Sequence, residues 1–131
     1  MNTMLRPYRT DFPRRVQIVE VGTRDGFQSV EGWIPTATKA GVVRGLIAAG
    51  LRHFEVTSFV SPRAVPQLRD GAELLAELGA PDGVTLSALV PNLRGAEAAI
   101  AAEVGAMVVF VSASESHNLK NLNRSRAESL A

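Results

Sequence analysis

Hydrophobic residues fall into four short runs, separated by stretches in which they recur at spacings of three and four. The first run, residues 16–21 (V-Q-I-V-E-V), leads into a polar turn of Gly22, Thr23, Arg24, Asp25 and Gly26. A helix is predicted over 36–49, where Val42, Val43, Leu46 and Ile47 share a face and Gly50 supplies the stop. A second strand follows at 53–57 (H-F-E-V-T), then an irregular loop at 58–67 with two prolines, then a helix over 68–78 with Leu74, Leu75 and Leu78 on one side. The third strand is 85–90, closed by Pro91 and Asn92, and an alanine-rich helix is predicted over 93–103. The fourth, 107–112 (M-V-V-F-V-S), is almost continuously apolar, as expected of a strand covered on both faces of a parallel sheet.

The order is therefore β-α-β-α-β-α-β, with strand starts about 20–40 residues apart, the size of βα units. Four such units suit an open doubly wound sheet or part of a barrel. The Gly-x-Gly-x-x-Gly phosphate loop is absent after the first strand, which counts against a dinucleotide-binding sheet. Residues 113–123 are expected as a loop. Ser125 and Glu128 then match the capping-box spacing at a helix start, and the sequence stops within that helix's first turns. A helix nucleated and cut so soon does not repay its nucleation cost, so the C-terminus reads as a truncation.

Composition narrows the class. The 131 residues suit one domain, and 46% apolar with 21% charged residues describes a globular chain. A net charge of +1, from 14 basic and 13 acidic side chains, gives no electrostatic case for nucleic acid or an anionic membrane. No cysteine is present, which removes disulfides, thiolate metal sites and a cysteine nucleophile from this chain. Residues 1–15 lack the apolar core of a signal peptide and read as an irregular lead-in marked by Pro7, Tyr8 and Pro13. With no apolar run of about 18 residues, the expectation is a soluble, cytoplasmic domain.

The candidate chemistry sits at strand ends. Arg24 and Asp25 place a cation and a carboxylate at the C-terminal tip of the first strand, where parallel α/β folds hold ligands and metals. Glu55 alternates with Phe54 and Val56, so its carboxylate points away from theirs and needs a partner such as Arg24. His53 reads as a packed histidine, and His117, in the expected loop, as neither ligand nor base. Lys120, Arg124 and Arg126 read as a solvated face, and Phe27 and Trp33 as covers for one end of the sheet.

Four segments, V-E-V-G-T-R-D-G-F-Q, F-E-V-T-S-F-V-S-P-R-A-V-P-Q-L, L-V-P-N-L-R-G-A-E-A-A and S-A-S-E-S-H-N-L-K-N-L-N-R-S, occur in that order. Together they resemble the hydroxymethylglutaryl-CoA lyases, members of a metal-dependent superfamily of (β/α)8 TIM barrels that also includes isopropylmalate and citramalate synthases. The resemblance implies an α/β chain in which 16–131 form the N-terminal half of a pyruvate carboxyltransferase-like barrel. It implies Asp25 as a ligand of Mg2+ or Mn2+, and Arg24 over the carbonyl oxygen of an acyl-CoA substrate. Glu55 would support Arg24 or the reacting hydroxyl, and Gln28, Ser58, Asn121 and Asn123 would contact substrate. The implied reaction is the cleavage of 3-hydroxy-3-methylglutaryl-CoA to acetyl-CoA and acetoacetate. The family's remaining metal ligands, a His-x-His pair and an asparagine, have no counterpart in this chain, so alone it is expected to be inactive. A Claisen-type condensing synthase and a non-catalytic half-barrel that self-associates are the alternatives, and a homo-oligomer or a missing C-terminal half is the expected partner.

Overall fold

The computed structural model describes residues 12–131; Pro7 and Tyr8 of the expected lead-in lie outside them. Four parallel strands form one sheet in the order β1-β2-β3-β4, with β1 at Val19–Glu20, β2 at His53–Ser58, β3 at Thr85–Leu89 and β4 at Ala106–Val108. Helices α1 (Thr36–Ala48), α2 (Gly71–Leu78) and α3 (Leu93–Ala101) join successive strands, and α4 (Glu115–Leu122) and α5 (Arg126–Leu130) follow β4. Sequential parallel strands with helical crossovers are the arrangement of part of a (β/α)8 barrel. Among the described residues no helix is long and apolar enough to cross a membrane.

One hydrophobic core lies between the sheet and the first two helices. Ala40 and Val43 of α1, Leu74, Leu75 and Leu78 of α2, and Phe54, Val56 and Leu86 of the strands are all buried there. The β2–β3 register shifts between Glu55 and Thr57, so Val56 is the extra residue of a bulge. The bulge lets consecutive side chains both meet the helix layer: Val56 joins the core, and Thr57 abuts Gly71 at the start of α2. Glu55 is left on the opposite face.

Several elements differ from the sequence pattern, each for a local reason. The first and fourth strands are shorter than their apolar runs, because each finds a ladder partner on one side only. A 3-10 turn at Pro66–Leu68 precedes α2, which starts at Gly71 rather than residue 68. Asp70 stands at its N-cap without capping it, because its carboxylate is engaged by Lys39 and Thr36. α3 ends at Ala101, two residues early, and Glu103 then takes a left-handed φ of 54°.

The expected loop at 113–123 is largely helix. Ser114 caps α4, its hydroxyl accepting from the His117 amide, and Asn123 closes it in the left-handed region at φ 52°. His117 therefore stands on a helix. The capping box at Ser125 and Glu128 is present in both directions and starts α5.

Candidate active site

Just beyond β1, Gly22–Gly26 wind into one turn of π-helix against the end of β2. Such turns are rare and recur at functional sites because they redirect side chains within a helical path. Glu20 helps to set it: its carboxylate accepts from the Gly22 amide at 2.6 Å, and a Cβ on Gly22 would lie 2.8 Å from the same oxygen. Thr23 is buried and donates to the Glu55 carbonyl at 3.2 Å, fixing the turn to β2.

That turn delivers Arg24 to Glu55. The Arg24 Nε donates to Glu55 Oε1 at 2.5 Å, and its Nη1 donates to Asp25 Oδ1 at 2.8 Å. The Glu55 side chain is 8% exposed, that of Arg24 17% and that of Asp25 68%. The guanidinium is thus held on two sides, while Nη2 has no partner among the described residues. A fixed, partly desolvated guanidinium with uncommitted donors is suited to an oxygen on which negative charge develops.

The other expected site residues are less tied. Ser58 ends β2, is 3% exposed, and its Oγ has no hydrogen-bond partner among the described residues. Gln28, Asn121 and Asn123 are exposed, and no hydrogen bond among the described residues links them to Arg24. His53 is half-buried within β2 and His117 is exposed on α4.

Asp25 offers a hard oxygen ligand, but a small divalent ion takes about six donors. Among the described residues no three His, Cys, Asp or Glu side chains converge on one point. The donors present do not fit Mg2+ or Mn2+ by themselves, and a complete site needs ligands beyond these.

Three arrangements lie outside the expectations drawn from the sequence. Lys39, on the core face of α1, is wholly buried; its Nζ donates to Asp70 Oδ1 at 2.6 Å and to the Gln67 carbonyl at 2.5 Å. Trp33 is stacked by Lys39 Nζ at 4.2 Å and Arg69 Cζ at 4.0 Å from its ring centre. Asn118, also fully buried, accepts from the Ser112 amide and donates to the Arg124 carbonyl and Ser129 hydroxyl. Helical spacing puts Lys39 four positions before Val43, on the core-facing side, a position that marks a lysine in need of a carboxylate. Nothing comparable marks Asn118.

The chain is similar in sequence and fold to known proteins. The HMGL-like family model matches residues 15–131. The hydroxymethylglutaryl-CoA lyase YngG of Bacillus subtilis is 45% identical over 119 residues, covering 91% of this chain and 40% of the relative. A Pseudomonas aeruginosa 3-hydroxy-3-isohexenylglutaryl-CoA/hydroxy-methylglutaryl-CoA lyase is 46% identical over 120 residues, 92% of this chain and 40% of its own length. The structure of an HMG-CoA lyase from Acinetobacter baumannii in complex with coenzyme A and 3-methylmalate superposes with a TM-score of 0.83 at 37% identity, covering 87% of this chain and 37% of that one. The chain thus spans about 40% of the length of these two curated relatives, in their N-terminal part. With four consecutive parallel βα units and a family match across nearly all its residues, the chain belongs to the HMGL-like family and has the fold of part of a TIM barrel.

Proposed function

We propose that this chain supplies the substrate-activating part of a hydroxymethylglutaryl-CoA lyase, with residues 16–131 as the N-terminal half of the barrel and 1–15 as its lead-in. The observation that carries the reading is the Arg24–Glu55 pair, formed between the turn after β1 and the interior of β2 in a chain about 45% identical to such lyases. In the reaction, the tertiary hydroxyl of 3-hydroxy-3-methylglutaryl-CoA loses its proton and becomes the ketone of acetoacetate. The adjacent C–C bond breaks, its electron pair passes to the thioester as an enolate, and a proton on that carbon gives acetyl-CoA. Arg24 stabilises the enolate oxygen through its free donors, and Glu55 acts as the positioning residue that holds the guanidinium plane. Gln28, Ser58, Asn121 and Asn123 contact the substrate. Asp25 contributes one ligand to a Mg2+ or Mn2+ site completed by residues outside this chain, so the isolated chain is inactive. A cytoplasmic place in leucine breakdown and ketone-body formation belongs to the same proposal.

The test is a chimera in which this chain replaces the matching first 40% of the B. subtilis relative. Expected is metal-dependent cleavage of 3-hydroxy-3-methylglutaryl-CoA, with Arg24→Met lowering kcat by roughly a hundredfold or more. A folded chimera that condenses acetyl-CoA with a 2-oxo acid, or cleaves nothing, overturns the reading.

A second reading has its own support. Val19 and Val21 at one end of the sheet, and Met107, Val109 and Val111 at the other, are exposed, and apolar edges of this kind invite pairing. On it the chain is a self-associating half-barrel, and sedimentation of the isolated chain would give one defined oligomer.

A further inference from the structure

β1 and β4 are the two edges of the sheet, and each has a ladder partner on one side only among the described residues. Apolar sequence runs past both ladders. Val16 and Ile18, just before β1, are 76% and 61% exposed, and Val109, just after β4, is 78% exposed. Backbone N–H and C=O groups along such edges are open to a further strand. The chain exposes 9478 Å2, whereas a folded monomer of 14.0 kDa exposes about 6,700 Å2. The excess is larger than the roughly 800 Å2 that each partner buries in a standard interface.

Four parallel strands are half of the eight that close a (β/α)8 barrel. A twofold axis along the strands preserves their direction, so β4 of one copy can continue in parallel into β1 of a second, and symmetry makes the other seam identical. Two copies then use all four edges, which leaves no strand unpaired.

Register matches the two edges. Glu55, Ser87 and Ala106 lie on one hydrogen-bonded line, and the β1–β2 pairing, continued by one residue, sets Val21 at its start. In an eight-stranded barrel of shear eight, the right-handed tilt returns such a line about eight residues nearer the strand's N-terminus, so half a barrel returns it about four. Ala106 then faces Gln17 of the second copy, Met107 faces Ile18, and Val108 faces Val19. The apolar parts of the two runs coincide. At the N-terminal end of the seam Glu103 comes alongside Arg14 and Arg15, opposite charges at exposed positions.

We propose that two copies of this chain close one eight-stranded parallel barrel about a twofold axis, β4 of each pairing with β1 of the other. The proposal rests on the self-association reading above and specifies its partner and its seam. Closure sets a second Arg24–Glu55 pair and a second Asp25 at the same end of the barrel, so each copy adds residues to the other's site.

The test is sedimentation velocity of the full chain over a range of concentrations. Expected is a dimer of about 28 kDa, twice the mass of one chain, that grows no further. Ile18→Lys blocks the β1 edge and Met107→Glu the β4 edge, and each variant alone dissociates at least tenfold more readily. An equimolar mixture of the two recovers the dimer, because one seam is unaltered and in the other the introduced ammonium meets the introduced carboxylate. Ile100→Lys, at an exposed position on α3, leaves the dimer intact, and circular dichroism verifies that each variant is folded. A monomeric chain overturns the closure and the self-association reading together. A dimer that tolerates either edge variant, a mixture that does not recover, or a species that grows with concentration overturns the closure and leaves self-association standing.

Discussion

At the scale of single residues, two buried or half-buried ion pairs among the described residues have different duties. Arg24–Glu55 opens toward the strand tips, whereas Lys39–Asp70 is closed off, with side-chain exposures of 0% and 8%. Removing one partner of a buried pair strands the other charge, at a cost of about 3–5 kcal/mol. Lys39→Met should therefore destabilise the chain by about that much in urea unfolding, and adding Asp70→Leu should recover part of the loss. Glu55→Gln should cost less, about 1–3 kcal/mol, because Arg24 keeps Asp25 and some solvent. In the chimera the same Glu55→Gln change should lower kcat more than it alters KM, since a loosened guanidinium stabilises the enolate less than the bound thioester.

At the scale of elements, close approaches decide where helices sit. A Cβ on Gly71 would meet Thr57 Oγ1 at 2.8 Å and Cγ2 at 3.2 Å, and a β-branched side chain cannot swing aside. Gly71→Ala should cost about 1–3 kcal/mol by overpacking, and Thr57→Ala in the same chain should restore most of it. Thr57 Oγ1 is buried without a partner, so its removal strands nothing. At the other end, Glu128 has its pKa lowered chiefly by the Ser125 hydroxyl and then by the Ser125 amide, both of which donate to its carboxylate. A lowered folded pKa gives α5 support that is present above the unfolded value and is lost as pH falls through the folded one. The protection of the α5 amides, taken relative to intrinsic exchange at each pH, should therefore fall in acid, and Ser125→Ala should weaken that dependence, leaving the part carried by the Ser125 amide.

At the scale of the whole molecule, the βα alternation was legible because glycine or proline separates each of the first three helical stretches from the strand that follows it. The Arg24–Asp25 turn was visible as residue types at a strand end, although its π-helical path was not: that path follows from Glu20 and Thr23 acting across space. The first and fourth strands were overestimated in length because apolarity says that a strand is buried in a finished barrel, while hydrogen bonding requires the neighbour itself. α4 was missed for a similar reason. Its sequence, E-S-H-N-L-K-N-L, is polar and rich in helix-competing side chains, and it is held by Asn118, whose three partners lie outside the helix. Asn118→Ala should strand those groups and raise exchange across α4 and α5 together.

The sealed position of Lys39 also has a use in labelling chemistry. The chain has two lysines, and the other, Lys120, is exposed on α4. An acylating reagent at neutral pH would modify Lys120 at once, but reach Lys39 only when α1 lifts away from the segment that carries Gln67 and Asp70. The ratio of the two modified peptides, read by mass spectrometry over time, measures how often that seam opens, with Lys120 as the internal standard.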